Sequence, residues 1–242
     1  PGPGRWLVKP ERSAGGRGIR PWSDAEPAER PSGQYVQAWQ PGQPVGAIFV
    51  GLPERTVLLG ATQQIVGLDW LGGTPFAYQG SVGPIVLPET VRERLVMLAT
   101  RLDLRGLFGI DGVLDGMSFH VLEVNPRYSA SIEVLEHAGD FAAQAWHRAA
   151  FDSDAVYSRM PTYRRIVAKA IVYAKRTWTW PASGPWDDAM SLPVTALAPF
   201  ADVPMPGETI PAGAPLCTVL AEGASIESTL ETIHERVKEF LT

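Results

Sequence analysis

The feature that most constrains this chain is the run from Val121 to Arg127, an apolar segment that ends in Glu-Val-Asn-Pro-Arg. In an extended strand alternate side chains share a face, so Glu123 and Asn125 point the same way. Pro126 lacks an N–H group and cannot continue a central ladder, so the strand is predicted to stop there. Two hard oxygen ligands and a cation therefore stand at the exit of a strand, a combination suited to a magnesium-bound phosphate.

The composition predicts a globular protein. The chain has 242 residues, of which 45% are hydrophobic and 19% charged, enough for one large or two modest units with a proper core. Its net charge of -5 and pI near 5.4 argue against a nucleic-acid-binding surface. The single cysteine, Cys217, argues against a disulfide framework and favours a reducing cytoplasm, and the scattered histidines argue against a zinc site. No apolar run reaches membrane-spanning length, so no membrane partner is predicted.

The first residues, Pro-Gly-Pro-Gly-Arg-Trp, lack an initiator methionine and lead almost directly into a strand. We therefore expect the chain to be the C-terminal part of a longer enzyme. An N-terminal domain or a companion polypeptide would then contribute to the site. The sequence leaves a homodimer open.

A glycine-rich segment, Ser13 to Gly18, follows a short apolar strand that ends at Lys9-Pro10. Glycine adopts the positive φ angles that turn successive backbone N–H groups inward, and it lets a phosphate approach the main chain. The segment has neither the ending of a Walker loop nor the spacing of a dinucleotide fingerprint. A phosphate-binding loop and an ordinary glycine-rich turn both fit this pattern.

The next part of the chain alternates strands and turns. Residues 34–39, 44–50 and 56–64 are predicted to form three strands of an antiparallel meander. The glycine-rich, polar stretch 69–84 is predicted to be a functional loop. Thr90 to Glu93 has the pattern of a capping box, and it is followed by apolar residues at helical spacing, which predicts a helix.

Two further strands are predicted to form a β-hairpin. Gly106 to Leu114 and Ser118 to Asn125 are separated by Asp115-Gly116, a frequent turn pair. Asp111 lies on the first strand. It can join the polar residues of the second strand only if it lies on the same face of the hairpin as Glu123.

The length of the turn decides which face Asp111 occupies. A two-residue Asp-Gly turn would pair Asp111 with His120 and send its side chain to the opposite face. A three-residue turn, Leu114 to Gly116, would pair Asp111 with Phe119 on the face shared with Glu123. We therefore predict the three-residue turn.

The residues after Arg127 carry several acidic side chains. Glu133 and Glu136 lie three residues apart, and we interpret them as solvated helix residues. Asp140 is predicted to cap the start of a helix that carries Trp146.

From about residue 160 the pattern changes. Residues 165–174 are strand-like, residues 178–216 are dense in proline and glycine, and residues 226–241 form an amphipathic helical pattern. We predict an α+β protein with a first domain at residues 1–158 and a small α+β unit at residues 159–242.

In the order and spacing of these motifs the chain resembles the ATP-grasp superfamily, which includes biotin carboxylase, carbamoyl-phosphate synthetase and the D-alanine ligases. The resemblance covers roughly residues 5 to 137. It is carried by Leu7-Val8-Lys9-Pro10, Ser13 to Gly18, the strand Tyr35 to Trp39, and Asp111, Glu123, Asn125 and Arg127. It implies antiparallel sheets with flanking helices, here without the family's N-terminal domain and with a small C-terminal β-rich unit.

The resemblance also implies a role for each of these residues. Lys9 and Arg127 would be catalytic: Lys9 would contact the nucleotide phosphates, and Arg127 the acyl phosphate or an acidic substrate. The phosphate-covering loop would include Ser13, Gly15, Gly16 and Gly18, the adenine-facing hinge would be Gln37, Ala38 and Trp39, and the magnesium or manganese ligands would be Asp111, Glu123 and Asn125. Position 37 departs from the family, which commonly has an acidic residue there.

The function implied by the resemblance is that of an ATP- and magnesium-dependent carboxylate–amine or carboxylate–thiol ligase. A carboxylate would attack the γ-phosphate to give an acyl phosphate, from which the amine or thiol would displace phosphate. Its substrates would be small molecules. Two alternatives remain open: an ATP-dependent carboxylase that forms carboxyphosphate, and a catalytically silent nucleotide-binding fragment.

Overall fold

The strands and helices of the protein are given by a computed structural model that describes residues 5–23, 32–157, 159–193 and 196–241. The strands of this part of the chain are β1 (Trp6–Pro10), β2 (Arg20–Pro21), β3 (Gln34–Ala38), β4 (Gln43–Gly51), β5 (Thr56–Val66), β6 (Tyr78–Gly83), β7 (Gly106–Asp115), β8 (Ser118–Asn125), β9 (Ile166–Tyr173), β10 (Trp178–Thr179), β11 (Phe200–Ala201), β12 (Thr209–Ile210) and β13 (Pro215–Gly223). The α-helices are α1 (Glu89–Arg101), α2 (Ala130–Gly139), α3 (Ala143–Ala149) and α4 (Ile226–Leu241), and short 3-10 helices span Asp69–Leu71 and Asp188–Ser191.

Eight strands form one antiparallel sheet in the order β11-β13-β9-β6-β5-β4-β7-β8. A three-stranded sheet, β2-β1-β3, and a ribbon of β10 and β12 complete the described strands. The predicted architecture, antiparallel sheets with flanking helices, is confirmed. The division into residues 1–158 and 159–242 stays a prediction, and β6 and β9, on either side of it, are hydrogen-bonded neighbours.

Apolar side chains cover both faces of the large sheet. On β4, Val45 and Phe49 pack in the core beneath α1, whereas Ile48 and Val50 pack in the core beneath α2 and α3. This explains why β4 is a continuous apolar run rather than an alternating one. The predicted C-terminal helix is confirmed as α4, which packs against β9 and β13. Among the described residues, no helix has the length and apolar character needed to cross a membrane.

The predicted meander is wrong for its first strand. β4 has β5 on one side and β7 on the other, so it offers β3 no free edge. β3 pairs instead with β1, in a register that places Lys9 opposite Tyr35 and Leu7 opposite Gln37. The predicted phosphate lysine and the predicted adenine hinge therefore lie on neighbouring strands of the small sheet.

The turn of the β7–β8 hairpin differs from the predicted one. Asp115 pairs with Ser118, so the turn consists of two residues, Gly116 and Met117. Gly116 has a φ of 55° and is the first of the two turn residues, a position that favours glycine in tight hairpins. The predicted three-residue turn is wrong.

A β-bulge nevertheless brings Asp111 to the predicted face. Gly112 pairs with Val121, but Asp111 pairs with Glu123, so Leu122 is an extra residue on β8. The extra residue shifts the pairing by one position. The β8 side chains beyond Leu122 therefore lie on the opposite face from the one they would occupy in a ladder without a bulge. Asp111 and Glu123 are therefore directly opposite each other and share a face.

Two helix starts also differ from the predictions. The N-cap of α1 is Pro88, which makes no side-chain cap, so the predicted capping box at Thr90 is wrong. Asp140 does not cap the start of a helix: it follows the end of α2 in the left-handed conformation, with a φ of 47°, and α3 begins at Ala143.

Candidate active site

A cavity of about 540 Å³ separates the small sheet from the end of the large sheet. Nearly all the predicted site residues line it: Lys9, Ser13, Gly15, Gly16, Gln37, Ala38, Trp39, Asp111, Glu123, Asn125 and Arg127. Gly18 is the exception, since it lies against the Pro10 ring rather than on the cavity wall. The two halves of the predicted site come from β1 and β3 on one side and from β7 and β8 on the other.

The acidic end of the cavity is organised by Asn125. Its Nδ2 donates to Asp111 Oδ2 at 2.9 Å and to Glu123 Oε1 at 3.1 Å. Its Oδ1 accepts a hydrogen bond from Arg127 Nη2 at 3.2 Å. One amide group thus links two carboxylates to a guanidinium in a single cluster.

Asp111 is the most strongly perturbed carboxyl group of this cluster. Burial raises its pKa to about 7, and the neighbouring Glu123 carboxylate adds to the rise by repulsion and by a side-chain hydrogen bond. The Arg127 charge and a hydrogen bond from Gln64 oppose the rise. Two carboxylates held this close are a natural place for a bound cation, because a positive charge removes the repulsion between them.

Lys9 faces the acidic cluster from the small sheet. Burial lowers the pKa of its ammonium group, and the negative charge of Glu123 acts in the opposite direction. Glu123 therefore interacts electrostatically with Lys9 across the cavity as well as with Asp111. A polyphosphate in the cavity would have a cation on one wall and carboxylates on the other.

The predicted adenine hinge offers polar and aromatic contacts. The Gln37 Oε1 atom is buried and has no hydrogen-bond partner among the described residues, although it belongs to a cavity-lining side chain. Trp39 lies beneath the Arg5 guanidinium, whose carbon is 4.3 Å from the ring centroid. A buried acceptor without a partner is costly unless a ligand donor satisfies it, which suits the amino group of a nucleotide base.

The acidic cluster has the chemistry of a magnesium or manganese site. Asp111 and Glu123 supply carboxylate oxygens and Asn125 an amide oxygen, the hard donors these ions prefer. The part of the chain that the structure describes holds no group of three or more His, Cys, Asp or Glu side chains suited to a metal, so the amide is needed to complete the set. In the present orientation Asn125 turns its N–H group toward both carboxylates, and a half-turn of the amide would present the oxygen instead.

Three polar residues that line the cavity were not predicted as site residues, Gln64 on β5, Tyr78 on β6 and Ser131 on α2, and Ser81 of β6 contacts two of them. Ser81 Oγ lies 2.8 Å from the Tyr78 hydroxyl and 3.0 Å from Ser131 Oγ. Ser81 is fully buried and Ser131 nearly so. The predicted functional loop at residues 69–84 is wrong for residues 78–83, which form strand β6, and only the sheet order β6-β5-β4-β7 brings these positions near Asp111.

The interpretation of Glu133 and Glu136 as solvated helix residues is wrong. Glu133 forms a short ion pair with Lys169 of β9, whose side chain is only 13% exposed. Glu136 accepts hydrogen bonds from the Tyr128 hydroxyl and from the Ala143 backbone N–H, both at 2.6 Å. Both glutamates fix α2, and hence the residues that follow Arg127, in place.

The comparisons with known proteins agree with this geometry. A family profile described as an ATP-grasp domain matches residues 1–131, more than half of the 242-residue chain. The chain belongs to the ATP-grasp family. No curated protein sequence matches this ATP-grasp chain.

Solved structures show the same fold. Phosphoribosylamine–glycine ligase from Thermotoga maritima is 15% identical with a TM-score of 0.61, over 97% of the ATP-grasp chain and 65% of the ligase. Biotin carboxylase from Campylobacter jejuni is 13% identical with a TM-score of 0.66, over 94% and 55% of the two chains. Pyruvate carboxylase from Rhizobium etli is 14% identical with a TM-score of 0.64, over 96% of the ATP-grasp chain and 23% of the carboxylase.

At these identities the likeness concerns the fold alone. The ATP-grasp chain spans about half to two thirds of the length of the first relatives it matches, 50%, 65% and 63%. By their names, the three relatives above are one ligase and two carboxylases.

Proposed function

We propose that this chain carries the nucleotide-binding and phosphoryl-transfer site of an ATP-dependent carboxylate–amine or carboxylate–thiol ligase. A carboxylate substrate attacks the γ-phosphorus of ATP, ADP leaves, and an acyl phosphate forms. The amine or thiol then attacks the acyl carbon and phosphate leaves. A domain or polypeptide outside residues 1–242 would complete the substrate site.

The observation that carries the proposal is the convergence of Lys9, Arg127 and the Asp111–Glu123–Asn125 cluster on one cavity beneath a glycine-rich loop. In phosphoryl transfer the protein forms few covalent bonds itself. It accelerates the reaction mainly by positioning the reactants and by neutralising the charge of the phosphates. Lys9 on one wall of the cavity, and Arg127 with the acidic cluster on the other, can position the phosphates and neutralise their charge.

Different residues bind the phosphates, the carboxylate substrate and the cation. Lys9 and the backbone N–H groups at Gly15 and Gly16 hold the phosphates, and Arg127 holds the carboxylate that is to be phosphorylated. Magnesium or manganese held by Asp111, Glu123 and Asn125 would supply charge neutralisation when bound. The buried acceptor on Gln37 supports adenine as the base.

The runner-up is an ATP-dependent carboxylase that forms carboxyphosphate from bicarbonate. It is supported by the fold shared with biotin carboxylase. ADP release that depends on an amine or thiol favours the ligase, and release that depends on bicarbonate favours the carboxylase. ATP binding in calorimetry with magnesium present, but no turnover by the complete polypeptide with an amine, a thiol or bicarbonate, would favour a catalytically silent nucleotide-binding fragment.

The direct test of the proposed site is Glu123→Gln in the complete polypeptide. The variant keeps the shape of the side chain but removes a charged oxygen ligand, so magnesium-dependent ATP turnover should fall by at least about a hundredfold. Glu54→Gln, an exposed position in the β4–β5 turn, is the matched control and should keep full turnover. Near-normal turnover in Glu123→Gln would refute the assignment.

A further inference from the structure

The glycine-rich loop contacts the start of β6. The Gly15 carbonyl accepts a hydrogen bond from the Tyr78 backbone N–H at 3.0 Å. Gly16 lies so close to the Phe76 backbone that a Cβ atom there would be 1.8 Å from the Phe76 carbonyl oxygen. Gly16 also has a φ of 75°, so only glycine combines this conformation with this approach. The loop is thus seated on residues 76–78 rather than standing free in solvent.

Strand pairing alone does not fix Tyr78. On β5 and β6, Ile65 pairs with Gly80 but Val66 pairs with Tyr78, so Gln79 is the extra residue of a β-bulge. A bulge interrupts the ladder and leaves the local backbone less constrained. Tyr78 must therefore be held in position by other hydrogen bonds in addition to strand pairing.

Side chains supply those bonds from two directions. The Tyr173 hydroxyl donates to the Tyr78 carbonyl oxygen at 3.0 Å. The Tyr78 hydroxyl lies 2.8 Å from Ser81 Oγ, which in turn lies 3.0 Å from Ser131 Oγ. Burial raises the pKa of Tyr78 to about 12, so the phenol keeps its proton at neutral pH. The N–H, C=O and hydroxyl groups of Tyr78 are all engaged, each with a different part of the protein.

Ser131 connects this chain of contacts to the acidic cluster. Gly46 of β4 has no side chain, and an added Cβ atom would lie 3.0 Å from Asp111 Oδ1 and 3.3 Å from both Gln64 Nε2 and Ser131 Oγ. These three polar groups therefore converge over Gly46. Hydrogen bonds therefore lead from the glycine-rich loop through Tyr78 and Ser81 to Ser131, and Ser131 Oγ lies next to the same glycine, Gly46, as Asp111 Oδ1.

We propose that Tyr78 is a positioning residue that seats the glycine-rich loop over the nucleotide cavity and fixes the loop relative to the acidic cluster. The proposal rests on the proposed function in taking the ligand under the loop to be ATP. The backbone N–H of Tyr78 holds the loop, while its hydroxyl fixes the residue to Ser81 and α2. In this role Tyr78 acts through the loop, so it is a positioning residue and not a catalytic one.

The test uses Tyr78→Phe, with Tyr163→Phe as the matched control. Tyr163 is, like Tyr78, a partly buried tyrosine that uses its hydroxyl, donating to the Leu59 carbonyl at 2.6 Å, but it does not line the cavity. Tyr78→Phe should raise the KM for ATP about tenfold while kcat stays within about threefold, the loss expected for one buried hydrogen bond. Tyr163→Phe should leave both constants unchanged.

A second readout needs no nucleotide. Trypsin can cleave after the exposed residues Arg12 and Arg17 at the two ends of the loop. Without ATP, cleavage there should be about five to ten times faster in Tyr78→Phe than in the wild type, and unchanged in Tyr163→Phe. Ser81→Ala should repeat the effect, and it carries the test if Tyr78→Phe does not fold.

The outcomes separate the two proposals. Cleavage and KM equal to wild type in both Tyr78→Phe and Ser81→Ala would overturn the positioning role, even if the enzyme turns over ATP. If the wild type binds no ATP, the proposed function fails, and the cleavage rates in the absence of nucleotide still decide whether Tyr78 seats the loop.

Discussion

Replacing Asp111 by asparagine should stabilise the protein in the absence of nucleotide and divalent cation, although it should abolish activity. The pKa of Asp111 is raised from 3.8 to about 7, first by burial and then by Glu123. Its ionised form is therefore disfavoured in the folded state relative to the unfolded chain. Asparagine has nearly the same shape, carries no charge, and keeps an oxygen that can accept the hydrogen bond from Asn125.

The size of the expected stabilisation follows from the shift in the pKa of Asp111. A rise from 3.8 to about 7 corresponds to at most about 4 kcal/mol, at about 1.4 kcal/mol per pH unit, and partial solvation of the carboxyl group reduces this to roughly 2 to 3 kcal/mol. The protonated carboxyl is the form that the fold favours, so the wild type is relatively most stable below about pH 4. It loses this stability as the pH rises through 7. The variant should gain nothing at pH 4 and the full amount above about pH 7.5.

Thermal unfolding in EDTA at several values between pH 4 and pH 8.5 measures this difference. At about 2 to 4 °C per kcal/mol for a chain of this size, Asp111→Asn should melt roughly 4 to 12 °C above the wild type at pH 8. Asp115→Asn, at the exposed end of the same strand, is the control and should show no such rise. A melting-temperature difference that does not grow with pH, or a variant less stable than wild type at pH 8, would refute the electrostatic reasoning.

Two further variants probe the surroundings of the cluster. Gly46→Ala places a Cβ atom 3.0 Å from Asp111 Oδ1, so it should displace that carboxylate and lower magnesium-dependent ATP turnover about tenfold, with an unchanged far-UV circular dichroism spectrum. Glu133→Gln leaves the Lys169 ammonium, 13% exposed, without its charged partner, and should lower the free energy of unfolding in urea by about 1 to 3 kcal/mol.

Each variant has a control in the same structure. Gly109→Ala on β7 places its Cβ no closer than 3.6 Å to any neighbour, so its turnover should match the wild type. Glu89→Gln breaks an exposed ion pair with Arg92 and should leave urea unfolding nearly unchanged. Equal turnover in the two alanine variants, or equal urea midpoints in the two glutamine variants, would contradict the roles assigned to Gly46 and Glu133.

Local features of the sequence predicted those parts of the fold and the candidate site that depend on a single segment. Pro126 cannot donate to a ladder, and β8 ends at Asn125. Period-two alternation placed Glu123 and Asn125 together, and both bond within one cluster. Helical spacing predicted α4. The resemblance carried by Lys9 and the glycine-rich segment led to the family that the comparisons then showed.

Only the tertiary structure decided how these segments meet. Periodicity cannot reveal a bulge, so Asp111 reached the face of Glu123 through the extra residue Leu122 and not through a longer turn. The partner of β3 depended on which strand edges were already occupied. Local spacing favoured a solvated Glu133, whereas in the structure β9 brings Lys169 into an ion pair with it. The sequence by itself determined the chemistry that each strand end carries, because that depends on residue type and local backbone. Distances between groups far apart in the chain depend on sheet order and register, which local pattern does not encode.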